Sequence, residues 1–207
     1  MINNLVLGFK LLKYTFNFKQ NVFLIVLFTF MGILWFFLPG SSAQFGPVYL
    51  SITGLYLLQM LGSLQFSGMV LSSPKKKRLQ TSMAAAFSLP GSLILYALTV
   101  LVVAYNKQFT ALILFGSLSM LMMVYEVLWM KLGTAVIIMY IFMMCGLILG
   151  FSYFDSAILE GISPGAAIGI GLAEILLGAC LQYQAARLTY RIPVKYGAML
   201  QTLQKYR

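Results

Sequence analysis

The 207-residue chain contains no histidine, two cysteines and only four acidic residues, Glu126, Asp155, Glu160 and Glu174. Without histidine, imidazole proton relays and the metal or haem sites that need histidine ligands are excluded. With so few acids, a buried carboxylate pair or a carboxylate metal cluster is not expected. There is no phosphate-binding G-x-x-x-x-G-K-[ST] sequence and no evident nucleophile–base pair. We therefore expect a protein that is not an enzyme and carries no cofactor.

Hydrophobic residues dominate the chain, at 61% of the sequence, with a mean hydropathy of +0.92. Because lipid offers no hydrogen bonds to the backbone, long apolar runs are predicted to be transmembrane helices. Lys131 and Gly133 break one run that is too long for a single span, so two helices with a very short turn are expected there. The sequence thus predicts an all-α integral membrane protein with six transmembrane helices. The predicted spans are 21–38, 47–71, 87–105, 109–130, 132–154 and 166–186.

The basic residues orient these spans. Of the 14 Lys and Arg residues, all except Lys107 fall on one side of the six-span arrangement. This side is predicted to be cytoplasmic and to hold both termini, because cytoplasmic loops are enriched in Lys and Arg. The net charge of +10 then faces anionic lipid rather than nucleic acid, since the basic residues are juxtamembrane. The whole chain, 1–207, is predicted to be one transmembrane domain. It begins with an interfacial helix at 1–20, continues with the six spans and a cytoplasmic loop (72–85) within 21–186, and ends in a cytoplasmic tail at 187–207.

The segment before the first span is amphipathic. Leu5, Phe9, Leu12 and Phe16 recur at helical spacing, which is typical of a helix lying in the membrane interface. A simple positive anchor for the first span is the alternative.

Glu174 is the most unusual residue within a predicted span. It lies roughly 12 Å from the outer edge, near the middle of the membrane. A charge at this depth costs several kcal/mol unless it is partnered, protonated or hydrated. Small or polar residues share its helical face: Ala167, Gly171, Gly178 and Gln182. We expect this face to pack against another helix or a second protomer, either as a structural contact or as part of a translocation path.

Two other polar features lie in the spans. Tyr56, Gln59, Ser63 and Ser67 form a stripe on the second span, which either lines a cavity or makes hydrogen bonds between helices. Glu126 lies within roughly 8 Å of the inner edge. We expect it to be an interfacial acid whose side chain extends to the membrane surface.

The loop after the second span is the most distinctive water-facing segment. It reads Ser-Ser-Pro-Lys-Lys-Lys-Arg-Leu from residue 72 to residue 79. Ser72, Ser73 or Pro74 can begin a short helix, on which Leu79 and Met83 would form an apolar contact point. Such a helix along the inner membrane face is suited to docking a soluble partner. A positive-inside anchor without a partner is the alternative.

In layout and in this loop, the chain resembles the permease subunits of the ATP-binding-cassette type-2 exporter family. The resemblance implies a homodimer or heterodimer of permeases in a bacterial plasma or inner membrane, each docked on a separate ATPase subunit. It also implies export of a lipophilic, peptide or drug-like substrate. The ATPase-coupling role is carried over only to Pro74, Lys75, Lys76, Lys77, Arg78 and Leu79. The short outer loops leave little material for an outer substrate-recognition domain.

Two alternatives belong to other functional classes. One is a non-transporting membrane scaffold or immunity protein, which needs neither a polar path nor an ATPase. The other is a six-helix substrate-binding subunit of a vitamin uptake transporter. That class is expected to have small residues on its first span, but Gly32 is the only glycine there.

The topology is testable by cysteine labelling of intact cells. In a background lacking Cys145 and Cys180, Ser42→Cys should react with an impermeant thiol reagent from outside. Ser73→Cys should react only after the membrane is permeabilised. Labelling of position 73 from outside would contradict the predicted orientation.

Overall fold

A computed structural model describes residues 18–37, 45–65, 74, 76–132, 134–154 and 161–192. Over these ranges the protein contains helices and no strands. Residues 1–17 of the predicted interfacial helix and residues 193–207 of the tail lie outside the described residues, whereas residues 18–20 belong to the first long helix. The helices are α1 (Phe18–Phe37), α2 (Phe45–Gln65), α3 (Lys76–Gln80), α4 (Ser82–Asn106), α5 (Thr110–Leu132), α6 (Thr134–Phe154) and α7 (Pro164–Leu188).

The six long helices coincide with the six apolar runs of the sequence. Four of them, α1, α4, α5 and α7, are long and apolar enough to cross a membrane by length and composition. In α2 and α6 the apolar stretch is shorter within the described residues, spanning Phe45–Leu58 and Ile138–Phe151. Many large apolar side chains are exposed, including Phe142 on α6, as expected where lipid surrounds the helices. The protein is therefore a helical membrane protein.

Contacts between helices establish their relative directions. Ser117 on α5 contacts Glu174 on α7, 57 residues later, and Glu126 contacts Gln182, 56 residues later. A nearly constant separation means that α5 and α7 run parallel. On α4, Ser88 contacts Gln182 whereas Tyr96 contacts Ile168, so α4 runs antiparallel to α7. The α4 start, the α5 end and the α7 end thus share one end of the bundle.

Helix α5 is the centre of the bundle. It contacts α2, α4, α6 and α7, and every residue from 111 to 119 is buried. Leu112, Phe115 and Leu118 form the middle of the hydrophobic core. Helix α1 packs at the periphery on α2 and α4, where Trp35 stacks on Tyr49 and Phe28 stacks on Tyr56.

Glycine brings the backbones of α5 and α7 into contact. A Cβ atom at Gly171 would lie 2.6 Å from the Leu112 carbonyl oxygen, and one at Gly178 would lie 2.8 Å from the Met120 Cα atom. A Cβ atom at Gly116 would lie 2.8 Å from the Gly171 Cα atom. Because these obstacles are backbone atoms, no rotamer change relieves them. Only glycine fits this crossing without moving a helix.

The ends of α7 are held by local hydrogen bonds and one long-range contact. Ser163 caps the helix by accepting a hydrogen bond from the Ala166 N–H, and Pro164 occupies the first turn, where a missing N–H costs nothing. Beyond the C-terminal end, the Lys131 Nζ atom donates to the Ile192 carbonyl oxygen at 3.0 Å. Lys131 therefore ties the end of α5 to the segment that follows α7.

Gly178 and Gly146 give a matched test of this close packing. We expect Gly178→Ala to lower the stability by about 1–3 kcal/mol, because the added methyl group meets the Met120 backbone. Gly146→Ala should be neutral or stabilising, since no atom of the described residues lies within 4 Å of a Cβ atom there and alanine favours helix. Thermal unfolding in detergent measures both effects. Equal effects of the two substitutions would contradict the close crossing.

Candidate functional site: a polar seam between three helices

Five polar side chains of α4, α5 and α7 form hydrogen bonds between these helices. We call this set the polar seam: Ser88 from α4, Ser117 and Glu126 from α5, and Glu174 and Gln182 from α7. They form two hydrogen-bonded groups at different depths. Glu174 and Gln182 lie eight residues apart on α7, or roughly 12 Å along the helix axis.

The inner group is centred on Gln182, which is 0% exposed. Its Nε2 atom donates to the Glu126 Oε2 atom at 3.1 Å, and its Oε1 atom accepts a hydrogen bond from the Ser88 hydroxyl. Glu126 is 3% exposed. The prediction that Glu126 extends to the membrane surface is wrong, because the amide of Gln182 holds the carboxylate inside the bundle.

The outer group is centred on Glu174, which is partly buried. Its Oε1 atom accepts a hydrogen bond from the Ser117 hydroxyl at 2.8 Å. It lies beside the crossing of Gly116 and Gly171. One oxygen of each acid, Glu126 Oε1 and Glu174 Oε2, is buried without a hydrogen-bond partner in the described part of the chain. Each of these oxygens can accept one further hydrogen bond.

The predicted face of Glu174 packs inward. Gly171, Gly178 and Gln182 are all buried, and the partner of this face is α5 rather than lipid. Among the described residues, no group of three or more His, Cys, Asp or Glu is placed to hold a metal ion. The contacts that the seam does show are hydrogen bonds between helices.

The residues of the basic loop lie apart from the seam. Pro74 is exposed in a turn, and Lys77 and Arg78 are exposed on α3. Lys76 and Leu79 belong to the same short helix, although their side chains, and Lys75 as a whole, lie outside the described residues. At the C-terminal end of α3, Gln80 and the adjoining Thr81 are buried, so the segment combines two exposed basic side chains with a buried end.

The predicted stripe on α2 is only partly described. Tyr56 is partly buried and stacks on Phe28, with ring centroids 5.5 Å apart. Gln59 and Ser63 lie on α2, but their side chains, and the whole of Ser67, are outside the described residues. The one side chain of the stripe that is described, Tyr56, therefore contacts α1 and is not a member of the polar seam.

Sequence reasoning did not identify Ser88 and Ser117 as site residues. The sequence does contain a pattern that points to Ser88, because Ser88, Ser92, Tyr96 and Thr99 recur at helical spacing. All four are buried on α4. Ser117 carries no comparable pattern, since its partner is set by which helices are neighbours. The Glu126–Gln182 contact was missed for the same reason.

Comparison of the chain with protein-family models, with curated proteins and with solved structures gives no match. Functional inference therefore depends on the seam, on the basic segment and on the arrangement of the helix ends.

Substitutions at Glu174 test whether its hydrogen bond to Ser117 stabilises the bundle. Glu174→Gln keeps the shape and can still accept from Ser117, so we expect normal folding. Glu174→Leu removes the acceptor and should cost roughly 1 kcal/mol, since intramembrane hydrogen bonds are modest. Thermal unfolding of the purified variants measures both. If Gln and Leu destabilise equally, the hydrogen bond is not what Glu174 contributes.

Proposed function

We propose that this protein is the permease subunit of an ATP-driven exporter of the type-2 kind. In this proposal it has six transmembrane spans and cytoplasmic termini, and it acts as a dimer with a separate ATPase subunit. The observation that carries the proposal is the short helix α3. It presents Lys77 and Arg78 to solvent and leads directly into α4, which contributes Ser88 to the polar seam.

The positions of the helix ends support a cytoplasmic location for α3. Because α4 runs antiparallel to α7 while α5 runs parallel to it, Lys131 and Arg187 lie at the end of the bundle where α4 begins. The hydrogen bond from Lys131 to the Ile192 carbonyl oxygen joins the end of α5 to the segment that follows α7. A cluster of basic residues at one end of a membrane bundle favours the cytoplasmic side.

The attachment of α3 to the bundle supports a coupling role. Thr81 follows α3 directly, is buried, and bonds the Lys77 carbonyl oxygen through its N–H at 3.1 Å and through its hydroxyl at 2.8 Å. A force applied to α3 by a docked subunit would therefore reach α4 through a rigid connection. Helix α4 carries Ser88, which bonds Gln182 on α7.

The polar seam supports the proposal because its helices are joined by contacts that can open during transport. In an exporter, helices that line the path must separate and close again around a substrate. A hydrogen bond in this setting is worth only about 1 kcal/mol, so the Ser88–Gln182 bond between α4 and α7 can open without a large cost while the close contact of α5 and α7 is kept. The substrate class remains the lipophilic, peptide or drug-like class implied by the family resemblance.

Leu79→Asp tests the docking proposal. The tagged protein would be purified from membranes of its host in mild detergent, and the copurifying phosphate-loop ATPase and its ATP hydrolysis would be measured. A charge placed in the apolar contact should weaken docking by about 2 kcal/mol or more, or roughly thirty-fold in affinity. The matched control is Ser42→Asp, which adds the same charge in a predicted outer loop.

We expect the control to retain the ATPase and Leu79→Asp to lose it while remaining folded. Equal recovery of the ATPase with both variants would remove α3 from the interface. If the parent protein recovers no ATPase at all, the exporter proposal is wrong and a non-transporting membrane scaffold is favoured.

A further inference from the structure

The buried acid of the inner group, Glu126, meets a neutral partner. It is 3% exposed, and within the described residues its hydrogen bond comes from the amide of Gln182. A carboxylate in this position carries an uncompensated charge inside a membrane bundle, which is costly. A buried acid avoids this cost by taking up a proton and becoming neutral.

Three of the four helices that pack on α5 carry no charged residue. Helices α2, α4 and α6 contain no Asp, Glu, Lys or Arg. Their titratable groups are tyrosines and one cysteine, which are ordinarily neutral at neutral pH. The tyrosine that α6 brings against α5, Tyr140, stacks on Tyr125. From α4, the side chain that reaches the inner group is the neutral hydroxyl of Ser88.

The charged residues of α7 and of α5 itself are directed elsewhere. On α7, Glu174 belongs to the outer group and accepts a hydrogen bond from Ser117. On α5, Lys131 lies five residues after Glu126, or about 140° around the helix, and its Nζ atom donates to the Ile192 carbonyl oxygen. The other titratable side chains of α7 are exposed: Cys180, Tyr183 and Arg187.

One chain of hydrogen bonds links Glu126 to α7 and α4. The Ser88 hydroxyl donates to Gln182 Oε1, and Gln182 Nε2 donates to Glu126 Oε2 at 3.1 Å. The Ser88 hydroxyl also has a second acceptor, the Ala85 carbonyl oxygen at 3.3 Å. In this direction the chain ends on a carboxylate, which can only accept hydrogen bonds.

Rotation of the Gln182 amide reverses the chain when Glu126 takes up a proton from water. The terminal torsion of glutamine is roughly two-fold, so a half-turn exchanges the amide oxygen and nitrogen. A proton bonded to Glu126 Oε2 is then donated to the amide oxygen, and the amide N–H is donated to the Ser88 oxygen. The Ser88 hydroxyl turns to the Ala85 carbonyl oxygen. Each contact again joins a donor to an acceptor, and the carboxyl group is neutral.

The other oxygen of the acid, Glu126 Oε1, fits the protonated form. It is buried and has no hydrogen-bond partner among the described residues. In a carboxylate this oxygen would share the negative charge, and a buried charged group without a partner costs more than a neutral one. We infer that Glu126 is a proton-binding site that is occupied at neutral pH, and that the bound proton joins Glu126 on α5 to Gln182 on α7.

Infrared spectroscopy of the purified chain in detergent tests the inference independently of the exporter proposal. A protonated carboxylic acid has a carbonyl stretching band distinct from the bands of carboxylates and amides, and this band shifts when deuterium replaces the acid proton. The samples at neutral pH are Glu174→Gln and the double variant Glu174→Gln with Glu126→Gln. Both retain Asp155 and Glu160, so Glu126 is the only acid that differs. We expect the acid band in the single variant and its loss from the double variant.

A second pair of variants tests the hydrogen bond of the acid proton. In the Glu174→Gln background, Gln182→Leu removes the amide that accepts this proton, so we expect the frequency of the acid band to change. The matched control is Cys180→Ala, a substitution on the exposed side of α7, which should leave the band where it is. The same frequency in both variants would show that Gln182 is not the partner of the proton.

Two further results would overturn the inference. One is the absence of an acid band from Glu174→Gln at neutral pH, since Glu126 would then be a carboxylate. The other is a band of equal strength in the double variant, since another group would then carry the proton. Glutamine matches the size and neutrality of a protonated glutamate, so we expect the double variant to fold. If it does not, the spectrum of the single variant still decides whether a protonated acid is present.

Discussion

The close contact between α5 and α7 is the interaction on which the rest of the structure depends. In lipid, burial of apolar surface does not drive helices together as it does in water, so packing and polar contacts must do so. Here Gly116, Gly171 and Gly178 allow the two backbones to touch. The parallel direction of the two helices requires that α6 return the chain across the bundle between them.

This contact also explains why two acids are tolerated inside the bundle. With the helices parallel and in contact, Glu126 and Glu174 each meet a polar residue of the partner helix rather than lipid. Gln182 supplies an amide to one and Ser117 supplies a hydroxyl to the other. One oxygen of each acid has no hydrogen-bond partner among the described residues. Helix α4 completes the seam through Ser88 and connects it to the exposed basic helix α3.

Much of the fold is predictable from the sequence, but the pairing of helices is not. Apolar length determines where the six long helices lie, and a lone lysine with a glycine correctly separates α5 from α6. The small-residue face of Glu174 was recognised because glycine spacing on one helix is visible in the sequence. Which helix covers that face depends on three-dimensional packing, so the contacts of Ser88 and Ser117 were missed. The prediction for Glu126 used only its depth in the membrane and was wrong, because a hydrogen bond from the buried Gln182 amide keeps the carboxyl group inside the bundle.

Crosslinking between α5 and α7 tests the contact of these helices at the polar seam most directly. In a background lacking Cys145 and Cys180, the pair Ser117→Cys with Glu174→Cys would be treated in membranes with a short bifunctional thiol reagent. The control pair, Ser119→Cys with Glu174→Cys, moves one thiol about 200° around α5. The account predicts efficient intramolecular crosslinking of the first pair and little of the second. Equal crosslinking of both pairs, or preference for the control, would contradict the contact of α5 and α7 through the face that carries Ser117.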